Sequence, residues 1–172
     1  MQSKEVTSRK GVLDEEDPLE SEDMPKRRKL SVLLIDDNED HTVLVSRFLK
    51  QRGYSVTAVT DGGAAAAILE SGEFDVVALD YQLPDTTGLE ILSAIVNRAN
   101  TMPVVMVTAS GSERVAVEAL KSGASDYVVK TPGYERELIK ALELAVESSR
   151  AKRAEAALRR ELELRARTDP LT

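Results

Sequence analysis

The chain contains no cysteine and a single histidine, and these two shortages narrow its chemistry more than anything else in its 172 residues. Without cysteine there are no disulfides, no thiol nucleophile and no thiolate metal site. One histidine, His41, argues against a multi-histidine metal centre or a histidine-centred relay. No apolar run approaches the roughly 20 residues that a membrane-spanning helix requires, and the opening MQSKEVTSRK has no apolar centre of the signal-peptide kind. The expected setting is therefore cytoplasmic, without a membrane partner. A formal net charge of -7 argues against broad nucleic-acid binding, because a phosphate backbone would be repelled over most of the surface. What remains plentiful is carboxylate, with 30 Asp and Glu against 23 Lys and Arg.

An apolar share of 42% is enough for one sizeable core, so the length suggests one domain with extensions. Residues 1–28 mix acids, bases and prolines without apolar periodicity and are expected to be a disordered tail. The basic run Lys26 to Lys29 within and after it reads as a solvated cluster. From residue 30 onward, short apolar runs (SVLLI, YSVTAV, DVVALD, MPVVMVT, DYVVK) alternate with longer segments of helical spacing, a (βα)5 pattern. Runs such as VVALD and VVMVT, apolar on both faces, suit central parallel strands covered by helices above and below. Val43, Leu44, Phe48 and Leu49 recur with helical period, as do Leu89, Leu92, Ala94 and Ile95, which predicts one buried face on each segment. Gly53, Gly72 and Gly123 fall between helix and strand, where a left-handed cap is expected.

In an open parallel sheet, ligands sit outside the carboxyl ends of the strands, near the point where strand order reverses. The ends of these runs supply Asp36 and Asp37, Asp80, Thr108 and Lys130. Each has an ordinary structural alternative. Asp36 and Asp37 could cap the following helix, Asp80 could open the turn completed by Pro84 and Gly88, Thr108 could cap a helix, and Lys130 could be a solvated charge. Acids, a hydroxyl and an ammonium converging at strand ends favour a functional site.

The succession LLIDD, LDYQLPDTTG, VTAS and DYVVK resembles the receiver domain of bacterial response regulators over residues 30 to 147. The resemblance implies a doubly wound, flavodoxin-like α/β fold with five parallel strands in the order 2-1-3-4-5. It also implies phosphorylation of Asp80 by a histidine kinase or phosphotransfer protein, with Lys130 and Thr108 assisting and Thr108 and Tyr127 acting as the switch pair. Two unit charges about 4 Å apart repel by about 4 kcal/mol at an effective dielectric near 20, so crowded carboxylates call for a cation. Mg2+ suits oxygen donors and retains waters that an incoming phosphate can replace. By resemblance Asp37, Asp80 and the backbone carbonyl of Gln82 ligate it, and Asp36 acts through water. Many receivers carry proline directly after the lysine, whereas this chain reads Lys130-Thr131-Pro132. His41 is read as a surface residue.

From Tyr134 the chain continues through ELIKALELAVESSRAKRAEAALRRELELRAR without glycine or proline, far longer than an average helix of about 11 to 12 residues. Ala151, Ala154, Leu158 and Leu162 mark a thin apolar face, which points to a coiled coil with a second copy. The expected organisation is a tail at 1–28, a receiver at 29–147, a helical linker at 148–167 and the start of an output domain at 168–172. The closing RTDPLT resembles the opening turn of diguanylate cyclase (GGDEF) catalytic domains, although the GGDEF motif itself is absent. The expected function is a phospho-acceptor switch that is not itself an enzyme, controlling a downstream output, a cyclase by this resemblance. No DNA-binding domain is expected in this chain. The alternative is a stand-alone receiver serving as adaptor or phosphate sink.

Overall fold

The computed structural model describes residues 29–98, 102–109 and 111–168. The expected tail at 1–28 and most of the 168–172 segment lie outside the described residues. Along the chain come β1 (Ser31–Ile35), α1 (Glu39–Gln51), β2 (Ser55–Val59), α2 (Gly62–Ser71), β3 (Val76–Asp80), α3 (Gly88–Val96), β4 (Val104–Thr108), α4 (Glu113–Lys121), β5 (Asp126–Val129) and α5 (Glu135–Thr168). The strands are all parallel, in the order β2-β1-β3-β4-β5, as the resemblance implied.

Every residue of β3 and β4 is buried, which is why these runs are apolar throughout instead of alternating. Successive side chains enter opposite layers. Val32 and Leu34 of β1, with Val76 and Ala78 of β3, pack against α1 and α5, where Val45, Leu49, Leu138 and Leu142 meet them. Leu33 and Ile35, with Val77 and Leu79, pack against α2, α3 and α4 through Leu69, Leu92, Ile95 and Ala119. Two apolar layers thus clamp one sheet, and the sheet's carboxyl edge is left free for polar side chains.

The phase of two helices differs from expectation. In α1 the buried residues are Val45 and Leu49, with Phe48 half-buried, whereas Val43 and Leu44 are 68% and 44% exposed. Each residue turns the helix by about 100°, so positions one and two before Val45 point away from the sheet. In α3 the buried face is Gly88, Ile91, Leu92 and Ile95, while Ala94 is exposed. Gly53 and Gly123 adopt the expected positive φ, 86° and 105°. Gly72 does not. Its φ is -113°, and a Cβ there would crowd the Phe74 ring at 2.8 Å and the Ile68 carbonyl oxygen at 3.0 Å, which favours glycine. The expected boundary at 147/148 falls inside one continuous helix, α5, of 34 residues.

Candidate acidic phosphorylation site

Strand order reverses between β1 and β3, and the loops leaving their carboxyl ends open a crevice there. β1 delivers Asp36 and Asp37 to it, β3 ends on Asp80, β4 ends on Thr108, and Lys130 follows β5 directly. Backbone hydrogen bonds continue the sheet past its formal ends: Tyr81 N donates to the Val107 oxygen at 2.9 Å and Lys130 N to the Thr108 oxygen at 2.8 Å. The sequence-predicted residues are therefore brought together by sheet register alone.

Lys130 is the hub. Its Nζ lies 2.8 Å from Asp36 Oδ2 and 2.6 Å from Asp80 Oδ2, and all three side chains are at most 8% exposed. Asp36 Oδ1 accepts the Asn38 N–H at 2.9 Å, and Asp80 Oδ1 accepts the Gln82 N–H at 3.2 Å. The helix cap is Asn38, whose side chain accepts the His41 N–H. Asp36 and Asp37 are thus not the α1 cap, and the α4 cap position belongs to Ser112 instead of Thr108. Thr108 is buried, and its side chain shares a hydrogen bond with that of Tyr127. Gly88 packs so closely beneath the site that a Cβ there would run into the Asp80 carbonyl oxygen.

One ammonium serves two buried carboxylates, so the pocket retains an excess of negative charge. Burial pushes the Asp80 carboxyl above its ordinary range, and the hydrogen bond and charge of Lys130 offset only part of that. For Lys130, burial opposes the charged form, but hydrogen bonds to Asp36 and Asp80 outweigh it and the ammonium is held above its usual value. Asp36, Asp37 and Asp80 each offer a carboxylate oxygen, all within 4.8 Å of one another. Asp37 is the exposed member of the three. An all-oxygen donor set with surplus negative charge fits a hard divalent cation such as Mg2+. Two residues have contacts that the sequence reading did not give them: His41, read as a surface residue, and Asp85. His41 Nδ1 is a buried atom 3.9 Å from Asp36 Oδ2 with no hydrogen-bond partner among the described residues, and its ring meets that of Tyr134 edge-on. Asp85 reaches from the β3–α3 loop to the start of α2. The doubled glycine Gly62-Gly63 was the one signal for that contact.

The profile of the Response regulator receiver domain matches residues 32–143. The chain belongs to that family. The sensory transduction protein RegX3 of Mycobacterium tuberculosis is 40% identical over 109 residues, which cover 63% of this chain and 47% of RegX3. Among solved structures, the chemotaxis response regulator CheY4 of Vibrio cholerae is 30% identical with a TM-score of 0.63, covering 68% of this chain and 98% of CheY4. A response regulator from Burkholderia pseudomallei, determined with a phosphorylated aspartic acid and a calcium ion, is 26% identical with a TM-score of 0.62, covering 74% and 75%. The chain spans less than half the length of curated relatives such as RegX3. Receiver domains accept a phosphoryl group on aspartate from histidine kinases and bind Mg2+ at an acidic pocket. Among the described residues, no helix is long and apolar enough to cross a membrane.

Proposed function

We propose that Asp80 is the phosphoryl acceptor of this receiver, with Asp37, Asp80 and the Gln82 carbonyl as the direct cation ligands and Asp36 acting through water. The observation that carries this reading is the Lys130 ammonium bridging Asp36 and Asp80 across the β1–β3 switch point. An Asp80 carboxylate oxygen attacks phosphorus in line with the leaving group. A phosphorus–oxygen bond forms as the bond from phosphorus to the kinase's histidine nitrogen breaks, and that nitrogen keeps the electron pair. Mg2+ held by Asp37, Asp80 and the Gln82 carbonyl would supply the positive charge that offsets charge on the transferring oxygens. Lys130 transfers its hydrogen bonds from carboxylate to phosphoryl oxygen, and Thr108, already paired with Tyr127, reports the change by turning its hydroxyl toward the phosphoryl group. The phosphorylated aspartic acid and divalent ion in the Burkholderia relative support this chemistry.

Mass spectrometry after treatment with acetyl phosphate and Mg2+ tests the assignment. The chain gains one phosphoryl group, and Asp80→Asn abolishes the gain. Labelling that persists in that variant moves the acceptor elsewhere.

The output is reached through α5, held in a two-helix coil by a second copy, and the resemblance of RTDPLT to a cyclase opening turn supports a diguanylate cyclase. A protein carrying this chain then makes cyclic di-GMP from GTP, faster when phosphorylated. A phosphorylation-dependent change in transcription without nucleotide turnover would instead give the kind of output named in relatives such as the transcriptional regulatory protein TcrA.

A further inference from the structure

The loop from β3 to α3 carries Gln82, whose carbonyl the proposed site uses, and it is closed at its neck by its own backbone. Gln82 bridges Thr87, and Gly88 N donates to the Tyr81 oxygen at 2.8 Å. Its tip is held differently. The Asp85 carboxylate leaves its own loop and accepts two hydrogen bonds from another element, from Gly62 N to Oδ1 at 2.8 Å and from Gly63 N to Oδ2 at 2.9 Å.

These are the first two N–H groups of α2, which no carbonyl of the helix can satisfy. The next, Ala64 N, donates to the cap residue Asp61 at 2.7 Å. The first turn of α2 holds no acid of its own, so the negative charge that its positive end attracts is supplied by Asp85. Those amides hold the Asp85 carboxyl below its ordinary range, the Gly62 bond foremost. The approach is close enough to dictate the sequence on the other side: a Cβ at Gly62 would collide with Thr86 Cγ2 and lie 3.2 Å from Asp85 Oδ1.

We propose that Asp85 is a positioning residue for phosphorylation: by latching the tip of the β3–α3 loop onto the start of α2, it holds the Gln82 carbonyl in place for the cation. The inference rests on the reading of Asp37, Asp80 and Gln82 given above. A latch that served only as a helix cap would stabilise α2 and leave cation binding untouched, and this is what separates the two roles.

Calorimetric titration of Mg2+ into the whole chain and three variants tests it, alongside the Mg2+ dependence of acetyl phosphate labelling. Asp85→Ala removes the latch, and Gly62→Ala displaces the loop from the opposite side with the carboxylate intact. Both weaken Mg2+ by about fivefold, below the roughly 10- to 100-fold typical of groups bonded to a metal ligand. Both raise the Mg2+ needed for half-maximal labelling equally, while the rate at saturating Mg2+ stays within about twofold of the parent. Asp61→Ala strips the α2 cap but spares the latch, so it lowers Tm and leaves Mg2+ affinity unchanged. Wild-type Mg2+ affinity in Asp85→Ala, or an equal loss in Asp61→Ala, overturns the proposal. A parent chain that takes up no Mg2+ overturns the site reading with it, a failure visible before any substitution is made.

Discussion

The two halves of α5 are one uninterrupted helix built on different physics. From Tyr134 to Val146, the chain presents Leu138, Ile139, Leu142 and Val146 to the sheet, each at most 5% exposed, and the Tyr54 hydroxyl, just before β2, donates to Glu143. From Arg150 onward every described residue is exposed, including Leu158 at 57%, Leu162 at 58% and Leu164 at 62%. The first half is helical because a core demands it, and the second because alanine, leucine, glutamate and arginine favour helix, aided by the Glu155–Arg159 and Glu161–Arg165 pairs. Such surface pairs contribute only a few tenths of a kcal/mol each. Isolated helices of that length are marginal in water, so the outer half is a place where small energies decide structure.

Leucine-to-alanine substitutions break this comparison most sharply. Leu142→Ala opens a cavity between β1, β3 and α1 and is expected to cost about 2–5 kcal/mol of unfolding free energy. Leu158→Ala, made at low protein concentration where copies stay apart, is expected to change stability by no more than about 0.5 kcal/mol. Urea unfolding followed by circular dichroism measures both. Equal losses at the two positions would mean that the outer half of α5 is packed against the receiver.

How far the sequence foretold this molecule depended on whether a feature was local. Parallel strands buried on both faces are apolar throughout, so the first polar residue after each run stood out, and Asp36, Asp80, Thr108 and Lys130 were found at their strand ends. The absence of glycine and proline between Gly133 and Thr168 made the continuity of α5 legible as well. The phase of α1 was not, because Val43, Leu44, Val45, Phe48 and Leu49 satisfy a helical period in more than one rotation, and only the sheet selects among them. Asp85 left only an indirect trace, the doubled glycine of its partner, for a different reason. Its partners lie 22 and 23 residues away, and a carboxylate in a turn looks the same in sequence whether it faces water or a helix end. Local pattern reveals what each strand delivers to the pocket, while the contacts that hold the pocket's loops depend on which elements become neighbours.

The smaller effect lies in association, and it sharpens the contrast between the halves of α5. Ala151, Ala154, Leu158 and Leu162 form a strip too rich in alanine to bury much area, so each contact contributes less than a leucine pair would. A coil built on this strip, as proposed above, would be soft, and softness suits a switch. A phosphoryl group on Asp80 can move an equilibrium only by its difference in affinity for two states, and a few kcal/mol is enough to repopulate a pairing held this weakly. Leu158→Glu combined with Leu162→Glu places like charges on the strip in both copies and is expected to raise the dimer dissociation constant by at least about tenfold, or about 1.4 kcal/mol. Labelling of Asp80 should survive, because neither leucine contacts the receiver core. Sedimentation of the double variant, with and without phosphodonor, decides the matter. Undiminished dimers would place the interface on the receiver surface, and a parent chain that stays monomeric at high concentration would remove the coil from the account of signalling.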